Sequence, residues 1–286
     1  MLQNAGDMPI FDKERHLRVA GFTGKDLKNM NEFNRGFGAV DVRSMDTSVN
    51  AGLRTFMLGV YQKLALGIAL SGGIAFLVGS GLVPGLTQLL LGTPLFYLFQ
   101  FGPLVLILGS AFLMKNPSPL ATGILYWTIV VMLGVCLSIW VAMAAAQTGV
   151  TTRGGAALNV TFMTMTKAFL LTASAFGALS LFGYTTKANL RPIGIIAVFA
   201  LWGVVGISLL SFLFPPSGMF EVIIQVAVLG ISGVLVAFQT QELKEGYFAN
   251  EGDTRSLAVM TNWGALNFFI MFYNMFTILM SLLSRE

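Results

Sequence analysis

The sequence predicts an all-α integral membrane protein, a seven-helix transmembrane bundle (residues 56–286) preceded by a polar N-terminal arm (residues 1–55). Three observations predict it. Of 286 residues, 55% are hydrophobic and only 10% charged, with a mean hydropathy of +0.77. That is too little charge to cover a soluble domain. From residue 56 to the C-terminus, mostly apolar windows recur at about the 20 residues a helix needs to cross the hydrocarbon. No window alternates polar and apolar residues as barrel strands do, and an open sheet edge in lipid would leave backbone groups unpaired.

The arm comes first. Its eight Lys and Arg are nearly balanced by seven Asp and Glu. Asp7, Asp12, Glu14, Asp26 and Glu32 exclude a transit peptide, and the early apolar core of a secretory signal is missing. The first transmembrane helix must therefore direct insertion. Poor periodicity predicts a mostly irregular segment with a short helix near Gly24 to Phe33, serving either as a solvated extension or as a docking arm for a partner protein.

Seven spans follow: Phe56–Gly79, Leu95–Phe112, Leu120–Ala145, Thr164–Phe182, Ile193–Phe214, Met219–Phe238 and Met260–Leu283. Gly81, Pro84, Pro94, Pro117 and Pro119 punctuate the early turns. Small residues four apart (Ala65, Ala69 and Gly73 in the first span, Ala173 and Gly177 in the fourth) predict close helix packing. Orientation follows from the short loops. With the N-terminus inside, the inner loops carry Lys115, Lys187, Arg191, Lys244 and Arg255, and the outer segments carry only Arg153 and Arg285. Arg43 and Arg54 strengthen that bias and Lys167 weakens it slightly. The expected location is a bacterial inner membrane, or a mitochondrial inner membrane, with the N-terminus inside.

Soluble enzyme chemistry finds no support. The single histidine, His16, lies in the arm, and the single cysteine, Cys136, lies among apolar neighbours in the third span. A metal site needs several ligands and a nucleophile needs a paired base. A lone cysteine excludes an intrachain disulfide. Gly36-Phe37-Gly38 lacks the later glycine and the strand-helix context of a nucleotide loop, and Asn159-Val160-Thr161 means little outside a secretory context. No catalytic, cofactor or metal residue is therefore expected. The net charge of +4 fits an anionic lipid surface, and no basic run with aromatic platforms suggests nucleic acid.

Polar groups within the spans carry the remaining information, because each mid-membrane charge costs about 2.5 to 3.5 kcal/mol on insertion scales. Lys63, in the first part of the first span, reads as a snorkelling side chain. Lys167 lies similarly near an end, and Glu221 suits the N-terminus of the sixth helix. Directly after the sixth span, Gln239 and Glu242 share a helical face, and in the seventh Asn267, Met271 and Asn274 do. This stripe is expected to point inward, either lining a hydrated path or forming interhelical hydrogen bonds worth about 0.6 to 2 kcal/mol each. Glu242, beside Lys244 and Glu245, also reads as part of a solvated helix end.

Four segments resemble the Bax inhibitor-1 family of transmembrane Bax inhibitor motif proteins: Ala51-Gly52-Leu53-Arg54 through Val60-Tyr61, Gly177 through Lys187, Ala237-Phe238-Gln239-Thr240-Gln241-Glu242 and Ala265 through Phe276. The resemblance covers roughly residues 52 to 283. It implies a seven-helix bundle with one helix surrounded by the other six. Several similar proteins behave as pH-sensitive calcium leaks, and some bacterial ones associate with a membrane-bound ATP-dependent protease.

The leak in such relatives relies on two aspartates between the sixth and seventh helices. Like charges at short range cannot both ionise easily, so the pair becomes a proton switch, and carboxylate oxygens suit calcium. Where the family carries those aspartates this chain has Gln239 and Met271. An amide brings no proton equilibrium, and a thioether brings neither charge nor a hard ligand. The resemblance therefore implies the fold without the switch. Two functions are expected: a non-enzymatic regulatory, scaffolding or accessory subunit of a membrane complex, or a calcium leak lacking the usual proton control.

Overall fold

The computed structural model describes residues 42–83, 85–146, 150–151, 157–213 and 218–285. The chain divides into two compact units, Met1–Gly52 and Leu53–Glu286, and the contacts below lie within the second. The expected short helix near Gly24 to Phe33 and the rest of the arm before Val42 lie outside the described residues.

The chain forms α1 (Val42–Gly79), α2 (Leu86–Leu91), α3 (Leu95–Leu113), α4 (Pro119–Ala146), α5 (Phe162–Thr185), α6 (Arg191–Leu213), α7 (Gly218–Ala249) and α8 (Thr254–Leu283). Six of these are long and apolar enough to cross a membrane among the described residues, and α6 contributes a shorter apolar stretch, Arg191–Ile207. The helical class is as predicted, with three differences. The first helix begins at Val42, because Val42 to Ala51 holds no proline or glycine to stop a nucleated helix from extending. The second is the short helix α2, which interrupts the predicted turn after Gly81 and Gly85, both at positive φ. The third is a hairpin of two-residue strands, β1 (Val150–Thr151) and β2 (Ala157–Leu158), which pair antiparallel between α4 and α5.

One boundary matters for function. The sixth predicted span was to end at Phe238, but α7 continues through the motif to Ala249. Helical winding advances about 100° per residue, so Gln239 and Glu242 stay within about 60° of each other while Thr240 and Gln241 turn to other sides.

The core is organised around α8. From Ser256 to Arg285 no residue is exposed, and Phe268, Phe269 and Met275 are almost fully buried. Phe268 stacks on Tyr61 of α1 at 5.6 Å and meets Phe176 of α5 edge-on at 5.4 Å, and Phe269 faces Tyr126 of α4 at 6.5 Å. Such aromatic pairs add about 0.5 to 1.5 kcal/mol beyond burial.

The close backbone approaches fall at other glycines than those predicted. A Cβ on Gly183 would collide with the Ala237 carbonyl, which locks α5 to α7, and one on Gly134 would lie 3.0 Å from Ser71 Cα, where α4 meets α1. By contrast Ala65, Ala69, Ala173 and Gly177 are exposed, and a Cβ on Gly73 or Gly177 would meet nothing within 4 Å. The expected packing role of those small-residue stripes is therefore overturned. They leave space beside the helices instead.

Candidate functional site

The stripe predicted on the last two spans divides into residues that bond and residues that do not. Thr240, fully buried, sits 3.1 Å from Ser180 Oγ of α5, and Ser180 in turn meets the Tyr61 hydroxyl of α1. Three hydroxyls thus join α1, α5 and α7. Gln241 turns the other way: its Nε2 donates to the Ala188 carbonyl at 2.8 Å, and its Oε1 accepts from the Leu190 amide at 2.8 Å. Both ends of one amide thereby fasten the α5–α6 loop to α7. Beside it the Lys244 ammonium donates to the Tyr184 carbonyl at 3.2 Å and lies 5.2 Å from that ring's centre, a cation–π geometry.

Gln239, Asn267 and Asn274 are half-buried, and their side chains have no hydrogen-bond partner among the described residues. Interhelical bonding by this stripe is therefore carried by its neighbours Thr240 and Gln241. Met271 packs against the hydrophobic core. Glu242 does not point inward: it is exposed, and with Arg191, Gln241 and Glu245 it lines a shallow groove of about 230 Å³. A carboxylate near the helix end reaches water at little cost, whereas burying it unpaired would be expensive.

The strongest polar junction was not part of the predicted stripe. Lys63 does not snorkel; its ammonium donates to the Asn262 Oδ1 of α8. Asn262, only 3% exposed, donates through Nδ2 to the Pro119 carbonyl and to Thr122 Oγ1 of α4, both at 2.8 Å. The Tyr126 hydroxyl donates to the Lys63 carbonyl at 2.7 Å. One asparagine thus satisfies three partners and ties α1, α4 and α8 together near the end where the 114–118, 186–190 and 250–253 connections lie. The sequence signal was available in Lys63 itself. A lysine inside an apolar span needs a partner, and Asn262 is the amide that supplies it.

A second polar cluster holds the opposite end. Arg285 pairs with Glu221 at 2.7 Å, and Gln225 Nε2 donates to Glu221 Oε1 at 3.2 Å and to Ser281 Oγ at 3.0 Å. The start of α7 is thereby clasped to the end of α8. Among the described residues no group of three or more His, Cys, Asp or Glu is placed to hold a metal ion.

Comparison with known proteins agrees with this architecture. The chain is 41% identical over 263 residues to an uncharacterized protein of Caulobacter vibrioides, covering 88% of this chain and 97% of that one. It is 28% identical over 239 residues to the inner membrane protein YbhL of Escherichia coli K12, covering 82% and 94%. It is also 28% identical over 249 residues to an uncharacterized membrane protein of Streptococcus pyogenes serotype M1, covering 84% and 96%. The family model described as inhibitor of apoptosis-promoting Bax1 matches residues 53–286. This helical bundle, from Leu53 to its C-terminus, is a multi-pass membrane protein of the Bax inhibitor-1 family.

Proposed function

We propose that the protein is a non-enzymatic regulatory or accessory subunit of a membrane complex, oriented with its N-terminus inside, and not a proton-switched calcium leak. The observation that supports this reading is the chemistry of the α7–α8 interface. Gln239 and Met271 stand where the family's aspartates are expected, and Met271 packs on the core. No titratable pair is formed by them, so no proton-controlled change of packing can originate there. Lys63 adds a positive charge among α1, α4 and α8, which repels a permeating cation.

Calcium efflux from proteoliposomes at neutral and mildly acidic pH tests the reading, with the native chain beside the Gln239→Asp, Met271→Asp double variant. The native protein is expected to be silent, and a pH-dependent leak is expected only from the variant. A native leak of similar size would support the second reading, a cation path without a proton switch. What favours that alternative is the set of amides on Gln239, Asn267 and Asn274 that have no partner among the described residues. A partner is sought by copurification at native stoichiometry, and a membrane-bound protease is one candidate.

A further inference from the structure

We infer that the cleft between α1 and α5 holds one acyl chain of an anionic phospholipid, with its headgroup at Arg54. The cleft has a volume of about 610 Å³, within the range of built ligand sites. Its chemistry is graded along its length. At one end lie Arg54 and the hydroxyls of Tyr61, Ser180 and Tyr184; at the other lie Ile68, Ala173 and Phe176. Because α1 and α5 run antiparallel, Arg54 and Tyr184 share one mouth, and Ile68 and Ala173 share the far end. From Arg54 to Ile68 a helix rises about 21 Å at 1.5 Å per residue. The apolar part, from Tyr61 to Ile68, takes about 10 Å of that rise, so the cleft covers the upper portion of an acyl chain within a leaflet of about 15 Å of hydrocarbon.

Two features select the occupant. The exposed residues Ala65, Ala173 and Gly177 open the wall, and a Cβ on Gly177 would meet nothing within 4 Å. A chain of methylenes fits beside them where a branched protein side chain is missing. At the mouth no carboxylate lines the cleft, and Arg54 has no ionic or hydrogen-bonded partner among the described residues. Lys244 stands against Tyr184 at the same end. Two cations at one mouth attract a phosphate-bearing anionic headgroup, while the Tyr61 and Ser180 hydroxyls stay bonded to each other and to Thr240.

The test uses the full-length protein in detergent, titrated with dioleoyl-phosphatidylglycerol or dioleoyl-phosphatidylcholine and followed by native mass spectrometry. The native chain is expected to retain one phosphatidylglycerol in preference to phosphatidylcholine. Gly177→Phe, which fills the open space, should weaken that retention by about tenfold or more, and Arg54→Gln should abolish the headgroup preference while chain binding persists. Ala173→Leu replaces the first variant if it aggregates. A phosphatidylglycerol carrying a photoreactive acyl chain should label α1 and α5. Equal retention of both lipids, undiminished retention in the filled variants, or labelling spread over all helices would each overturn the proposal.

Discussion

The helices α6 and α8 are both apolar enough to be read as membrane spans, yet they occupy opposite solvents. In α6, Phe199 is 72% exposed and Trp202 is 54% exposed, whereas Phe268 of α8 is fully buried. The buried helix is the more polar of the two. It carries Asn262, Asn267 and Asn274, while α6 up to Ile207 has no charged residue beyond Arg191. In water, the polar face turns outward; in lipid, amides and hydroxyls find partners only inside the protein, so the interior collects them. Polarity within a span therefore marks the centre of this bundle.

The comparison breaks if tight and open glycines behave alike. Gly183→Ala forces a Cβ into the Ala237 carbonyl, a backbone atom that cannot swing away. Overpacking of this kind costs about 3 kcal/mol or prevents folding, visible as a lost or strongly lowered thermal midpoint in detergent. Gly206→Ala on α6, with nothing within 4 Å, should change stability by no more than about 1 kcal/mol and in the favourable direction. Equal losses would mean that α6 is packed against protein.

Next in size is the interior asparagine. Asn262→Ala leaves the Lys63 ammonium and the Thr122 hydroxyl short of a partner, and about 2 kcal/mol should be lost. Lys63→Met added to that variant should recover part of the loss, because the stranded charge is gone. If Asn262→Ala is neutral, Lys63 reaches the interface unaided and the central junction has no structural role.

A smaller effect is expected at the opposite end. Glu221→Gln removes the ionic half of the contact with Arg285, and about 1 kcal/mol should disappear, less at high salt because the pair is partly accessible. A loss independent of salt would instead assign the clasp to the neutral bonds of Gln225 with Glu221 and Ser281.

The least effect is expected at Asp253, the N-cap of α8. Its carboxylate accepts from the Ser256 hydroxyl and from the amides of Ser256 and Arg255. These bonds, the Ser256 hydroxyl foremost, hold its pKa below the usual carboxylate value. A lowered folded-state pKa contributes stability above the unfolded value and loses it as pH falls through the folded value. Asp253→Ala should therefore lower the thermal midpoint slightly at neutral pH, and Asp253→Asn, itself a good cap, should lower it less. A difference that persists unchanged in strong acid would argue against the cap.

Much of the fold was legible before any coordinates. The seven predicted segments, as far as they are described, fall in helices, because apolar length is a direct requirement of the bilayer. The site was legible only in part. Gln239 and Met271 stand out by type, and Thr240 and Gln241 lie in the same motif, but which of them bonds depends on α7 continuing past Phe238. Once it does, Thr240 reaches Ser180, Gln241 reaches the α5–α6 loop, Glu242 reaches solvent, and Gln239 reaches no partner among the described residues. The junction of Lys63 with Asn262 was missed because 199 residues separate its partners, and no local period connects them.

By itself, then, the sequence determined the solvent, the helical class and the family, since each follows from residue type and spacing along one chain. Only the tertiary structure decided that α8 is central, that Asn262 joins three helices, and that Ala65, Ala173 and Gly177 border a cleft instead of a helix contact. The physical reason is that lipid tails are as apolar as a protein core. A small or apolar residue in a span meets the same preference on either side, and only the packing of the other helices determines which side it takes.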